Sequence, residues 1–127
     1  MRVAAIIVKD DKILLIHRIK NGQEYYVFPG GGVKEGESLE EALIREIKEE
    51  LTLDTKVFKQ IFNITNQGRD EFYFLIQEYY GTPQLNGEEK ERMNEDNQYI
   101  PVWIKLSEAI NLSNLYPKEA REKLRTI

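Results

Sequence analysis

Residues 31–53 read GGVKEGESLEEALIREIKEELTL, and this stretch decides how the chain is to be understood. Ser38 and Glu41 have the spacing of a capping box, in which each side chain satisfies a free backbone N–H of a first helical turn. The spacing predicts a helix that runs to about Leu51. On a wheel of about 100° per residue, Leu39, Ala42, Leu43, Ile47 and Leu51 make one apolar stripe that should pack on a sheet. Glu46 and Glu50 fall inside or against that stripe, on either side of Leu39. Glu49 lies on its edge, and Glu41, Arg45 and Lys48 lie on the far side.

A carboxylate beside a buried stripe is costly unless something pairs it. Glu46, Glu49 and Glu50 stand three and four residues apart and project close together. Arg45 alone cannot pair all three, and a divalent cation among them would offset both desolvation and repulsion. The alternative is a solvated acidic face with Lys48 and Arg45 as counter-charges. Two neighbours favour the cation. Glu37 lies just before the cap, and the helix follows a glycine turn, Pro29 to Gly32; a strand, a glycine loop and a helix in succession commonly hold a phosphate.

Outward from this centre the chain alternates strands and turns. Upstream, Val3 to Val8 is apolar and β-branched, Asp10-Asp11 supplies a turn, and Lys12 to Arg18 returns. Asn21-Gly22 marks a second turn, and Glu24 to Phe28 is a short aromatic strand. Downstream, Val57 to Thr65 and Glu71 to Tyr79 read as a hairpin joined at Asn66-Gln67-Gly68. Residues 81–97 read as a long polar loop, and Tyr99 to Leu106 as a last strand. Ser107 to Ile110 starts a short helix, and Pro117 suits the first position of a C-terminal one. No repeat or linker divides the sequence, so one domain over 1–127 is expected, an α/β sandwich in which helices cover a mixed sheet.

Composition removes several classes of function. Among 127 residues there is no cysteine, hence no disulfide framework and no thiolate chemistry. His17 is the single histidine, which excludes a His-rich zinc site. Hard oxygen donors remain, and these suit Mg²⁺, Ca²⁺ or Mn²⁺. The formal net charge of -4 does not suit coating nucleic acid. Ala4 to Val8 and Ile13 to Ile16 are too short to span a bilayer, and no leader pattern opens the chain. The expectation is a cytoplasmic protein without membrane or nucleic-acid partners, either monomer or homodimer.

Residues 31–53 closely resemble the Nudix box of the MutT-like hydrolases, G-x5-E-x7-R-E-U-x-E-E-x-G-U with U a bulky aliphatic. Gly31 is the first glycine and Glu37 the first glutamate. Arg45, Glu46 and Ile47 match R-E-U, Glu49 and Glu50 match the glutamate pair, and Leu53 matches the last U. Thr52 departs, standing where the box has the glycine that ends the helix. If the left-handed backbone is kept there, a β-branched residue should cost about 1 kcal/mol or more.

The resemblance implies a Nudix-type α/β/α sandwich with a mixed β-sheet. It implies an Mg²⁺-dependent pyrophosphohydrolase, with Mn²⁺ as a substitute ion, that cleaves a nucleoside-diphosphate-linked small molecule. A (modified) nucleoside triphosphate is preferred; a dinucleoside polyphosphate, a nucleotide sugar, or a non-catalytic nucleotide-sensing role are the alternatives, the last disfavoured by the intact glutamates. Glu46, Glu49 and Glu50 become metal ligands, with the Gly30 carbonyl as a further one. Arg45 becomes a positioning partner for Glu37 or a ligand glutamate. Glu46 or Glu49 takes the proton from the attacking water. In some relatives a distal-loop acid does so, and here Glu95, with Glu91 and Asp96 nearby, is either that acid and a metal ligand or a solvated loop charge.

Substrate contacts are assigned to Gly31, Gly32, Phe28 and Arg18, with an idle, exposed strand-end arginine as the alternative for Arg18. His17 faces the opposite way from Arg18 and is read as structural. Among Tyr25, Tyr26, Phe28, Phe72, Phe74 and Tyr99, one or two should stack on a base and the rest fill the core. Trp103 is read as core or as an anchor for helix packing.

Overall fold

The organising strand is β1, Arg2–Lys9, whose apolar run is buried on both faces. A computed structural model describes residues 1–85 and 93–127. Successive side chains of a strand point to opposite faces. Val3, Ala5 and Ile7 accordingly enter one core, and Ala4 and Ile6 enter another. A continuous apolar sequence is what a strand covered on both sides requires.

Around β1 the chain builds β2 (Lys12–Lys20), β3 (Gln23–Val27), β4 (Gly30–Gly32), α1 (Leu39–Leu51), β5 (Asp54–Asn66), β6 (Arg69–Tyr80), β7 (Asn97–Lys105), α2 (Leu106–Ala109), β8 (Leu115–Tyr116) and α3 (Lys118–Lys123), with a 3₁₀ turn at Leu124–Thr126. Strand order is β5-β6-β1-β2-β3-β8, with β4 also on β1 and β7 also on β2. The β1–β6 and β3–β8 pairs are parallel and the others antiparallel, so the sheet is mixed. α1 packs on one side, through Ala42, Leu43, Ile47 and Leu51; Ala109, Leu115, Ala120 and Leu124 cover the other. Fully burying each α1 side chain larger than alanine contributes about 1.5–3 kcal/mol. This is the α/β/α sandwich with a mixed sheet.

Three hairpins turn at two residues with positive φ: Asp10-Asp11, Asn21-Gly22 and Gln67-Gly68. That conformation matches the right-handed twist of the flanking strands, and Asp, Asn and Gly adopt it most readily. β1 and β2 pair only at Val8↔Ile13 and Lys9↔Lys12. Beyond that point β1 exchanges partners and pairs with β4 through Arg2↔Gly32, Val3↔Gly31 and Ala4↔Gly30. The sheet therefore opens into two leaves, β4-β1-β6-β5 and β7-β2-β3-β8.

The structure corrects the sequence reading in several places. The glycines expected as a turn form strand β4, because β1 offers them a ladder. β8 was not expected; two residues are too few to show a period, and pairing with Tyr26 and Val27 creates the strand. Pro117 is the cap of α3 and not its first helical residue. Part of the expected polar loop, including Glu91, lies outside the described residues.

Thr52 ends α1 in the left-handed conformation, φ 60° and ψ 24°, and its N–H donates to the Lys48 carbonyl. The helix exit of a glycine is thus retained without the glycine. Its hydroxyl donates to the Leu51 carbonyl at 2.6 Å, which offsets part of the strain. Thr52→Gly should raise the unfolding free energy by about 1 kcal/mol, measured by urea denaturation; an unchanged or lower midpoint would show that the hydroxyl outweighs the strain.

Candidate active site

Three segments meet at the site: β4, the loop to α1, and the outer side of α1. The glycines are required by close approach. A Cβ on Gly30 would collide with the Val3 carbonyl, and one on Gly31 would overlap the Glu46 carboxylate. Bare backbone at these positions lets two α1 carboxylates lie against β4. The Gly30 N–H donates to Glu50 Oε1 at 3.0 Å.

Arg45 gathers the rest. Its Nε and Nη2 donate to Glu37 Oε2 and Oε1 at 2.6 and 2.8 Å, a bidentate pair. Nη2 also donates to the Gly32 carbonyl at 3.0 Å. Nη1 donates to Glu46 Oε1 at 2.8 Å and to Glu49 Oε2 at 3.2 Å. The guanidinium is planar with five donors, which suits a fork of this kind. Glu37 also accepts the Lys34 N–H at 2.9 Å. The Arg45 hydrogen bonds, then the Lys34 amide, hold the Glu37 carboxyl down at about 2. Arg45 in turn is pushed above its ordinary value, foremost by Glu37.

The wheel placed Arg45 away from the acids, yet a long side chain reaches around the helix, and Arg45 pairs Glu46 and Glu49 while the Gly30 amide meets Glu50. Arg45 alone does not pair all three acids, as expected, and the Gly30 amide, which the sequence did not suggest, is a partner of the third. Among the described residues no three carboxylates converge as a ready-made cation cage. The donor set still suits a hard cation: carboxylate oxygens of Glu46 and Glu50 beside the backbone of Gly30 and Gly31, with Glu49, more than half exposed, next to them.

Where the two leaves part lies a cavity of about 250 Å³. Arg2, Asn66, Arg69, Glu71 and Tyr73 line it from one leaf; Arg18, Tyr25, Val27 and Phe28 from the other. It joins the acids through Phe28, two residues before Gly30, and through Arg2, which pairs with Gly32 and donates to the Phe28 carbonyl at 3.4 Å. Arg18 is no idle surface arginine: it lies over the Tyr99 ring at 3.7 Å, donates to Asn97 Oδ1 at 3.1 Å, and keeps a buried Nε with no hydrogen-bond partner.

Other candidates fall elsewhere. His17 stacks on Tyr26 and pairs with Glu24 at 2.8 Å. Phe74 is core, and Phe72, Tyr99 and Trp103 are half-buried against the α1 core. Glu95 is exposed in the turn between Asn94 and Asn97, whose Asp96 carbonyl accepts the Asn21 N–H at 2.8 Å. Arg2, Asn66, Arg69, Glu71 and Tyr73 were missed. The available signal was Glu71 itself, a charge at the head of the apolar run Phe72 to Ile76.

Fold and site together define a small α/β protein that holds helix carboxylates against a glycine strand beside a cleft. The chain belongs to the Nudix family: a NUDIX domain profile matches residues 1–126. It is 40% identical over 89 residues to an ADP-ribose pyrophosphatase of Methanocaldococcus jannaschii, a match covering 69% of this chain and 53% of that protein. The chain thus spans about half the length of that relative. A CTP pyrophosphohydrolase of Escherichia coli is 33% identical over 90 residues, 66% of this chain and 67% of its own. The solution structure of the E. coli ORF135 protein superposes with a TM-score of 0.76 at 30% identity, covering 98% of this chain and 84% of that one. No helix among the described residues is long and apolar enough to cross a membrane.

The Glu37–Arg45 pair carries a pH dependence with a definite sign. Between about 4.5 and about 2 the unfolded chain binds a proton at Glu37 that the folded chain does not. The pair's contribution is complete above that window and is lost as pH falls through it. The slope of unfolding free energy against pH should be shallower across this window in Glu37→Gln than in the wild type, as chemical denaturation at successive pH values would show.

Proposed function

We infer that residues 1–127 form a single catalytic domain that hydrolyses the phosphoric anhydride of a nucleoside-diphosphate-linked small molecule, most readily a (modified) nucleoside triphosphate. The observation that carries this is the apposition of Glu46 and Glu50 to the Gly30–Gly31 backbone, with a cleft lined by Phe28, two residues earlier in the chain, and by Arg2, which pairs with Gly32. ADP-ribose and CTP, in the names of the two relatives above, are both of this substrate class. The ADP-ribose relative supports a second reading, in which a nucleoside diphosphate sugar is cleaved.

In this reading Glu46, Glu49, Glu50 and the Gly30 carbonyl hold Mg²⁺, or Mn²⁺, whereas Glu95, in the turn tied to Asn21, is not among the ligands. When bound, the cation offsets phosphate charge and makes a water acidic enough to react near neutral pH. The protein's own groups do the rest. Glu46 or Glu49 accepts the proton of the attacking water. Arg45 fixes the orientation of both through hydrogen bonds it already makes. Gly31 and Gly32 let the phosphates approach the backbone, and Phe28 and Arg18 line the space for the base.

Glu50→Gln keeps an oxygen to accept the Gly30 N–H and removes the charge. It should lower phosphate or pyrophosphate release from a nucleotide panel by about a hundredfold or more while leaving the thermal midpoint near that of the wild type. Near wild-type turnover at saturating Mg²⁺ would remove Glu50 from the site. Failure of the wild type to cleave any member would count against the hydrolase reading itself.

A further inference from the structure

The cleft wall contains a charged group that the cleavage chemistry does not use. Glu71 is 2% exposed and sits on β6 directly across from Arg2 of β1. Its Oε1 accepts the Tyr73 hydroxyl at 2.9 Å, and its Oε2 accepts Asn66 Nδ2–H at 3.1 Å. The Arg69 guanidinium, itself half exposed, forms an ion pair with Oε2 at 3.6 Å, longer than a hydrogen bond. A carboxylate offers about four acceptor positions, so two hydrogen-bond donors and one longer ion pair leave acceptor capacity on a group that lines the cleft.

Burying a carboxylate in a sheet is costly. The ion pair with the half-exposed Arg69 offsets only part of that cost, and an aliphatic residue here would continue the second core without it, so packing does not account for Glu71. Its orientation is nonetheless tightly set. Tyr73, which holds Oε1, stacks on Phe62 at 4.7 Å and meets Phe28 edge-on at 5.3 Å. Burial, and then Glu71 itself, push the Tyr73 phenol well above its ordinary value, so it remains a donor. The result is a fixed acceptor in a wall otherwise supplied with the donors Arg2, Arg18 and Arg69.

A base with an exocyclic amino group beside a ring acceptor matches that pattern, its amine meeting the carboxylate and its acceptor meeting an arginine. A keto oxygen at the same place would set an acceptor against an acceptor and give Glu71 no third hydrogen-bond donor. We propose that Glu71 is a specificity-determining residue that accepts a hydrogen bond from the exocyclic amine of the substrate base, selecting cytosine- or adenine-type bases over uracil and hypoxanthine. The proposal rests on the nucleotide reading above and concerns which base that cleft admits.

The test is calorimetric binding of two nearly isosteric nucleotide pairs, CMP with UMP and AMP with IMP, so that no turnover is needed. In whichever pair binds more tightly, the wild type should favour the amino member by about tenfold or more, and Glu71→Gln, whose amide can both donate and accept, should bring the ratio to about parity. Tyr73→Phe leaves the carboxylate in place but frees its orientation, and should give an intermediate ratio. Parity in the wild type, absence of binding by all four nucleotides, or an unchanged ratio in a folded Glu71→Gln would overturn the proposal. If Glu71→Gln does not fold, Tyr73→Phe decides, and an unchanged ratio there overturns it. The hydrolase reading is judged separately by phosphate release, so parity in binding with intact turnover sinks the base assignment alone.

Discussion

The Arg45 guanidinium is the interaction on which the site's geometry depends. Its donors are shared among Glu37 in the loop before α1, Glu46 and Glu49 on α1, and the Gly32 carbonyl of β4. Three segments that would otherwise move independently are thereby tied to one rigid plane. A lysine could not do this, because its single ammonium cannot bridge a bidentate carboxylate and a carbonyl in one fixed fork. The same group supplies the counter-charge for acids that crowd one side of a helix. Its contact with Glu46 needs Gly31, where a Cβ would displace that carboxylate.

A second constraint is the partner exchange along β1. The strand pairs with β2 for two residues and then with β4, so the leaves diverge and a cavity forms between them. The backbone of β4 meets the carboxylates of α1, and through Arg2 and Phe28 it adjoins the cleft. One short strand, its backbone held by ladder hydrogen bonds, thus adjoins both the α1 acids and the cleft wall. A loop in the same place would leave the acids and the cleft free to drift relative to each other.

Thr52 shows how far local propensity can be overridden. The left-handed exit from α1 is kept although threonine is poorly suited to it, and Leu53, next in the chain, is fully buried. Burying a leucine is worth about 1.5–3 kcal/mol, more than the strain of one left-handed residue. Packing therefore settles the backbone, and the hydroxyl bond to Leu51 reduces the cost.

Local pattern determined the elements and half of the site. The capping box, the apolar stripe of α1, the three two-residue turns and the doubly buried run of β1 are short-range signals, legible because side-chain periodicity and turn chemistry act over a few residues. Glu46, Glu49 and Glu50 were legible for the same reason, being neighbours on one helix. Tertiary structure alone decided the rest. Arg45 reaches its acids around the helix, β4 and β8 exist because a partner strand presents a ladder, and the cleft brings Arg2, Arg18, Asn66 and Glu71 together from four strands. Sheet pairing and side-chain reach are long-range terms, and nothing in the spacing of residues 2, 18, 66 and 71 records that they share a wall.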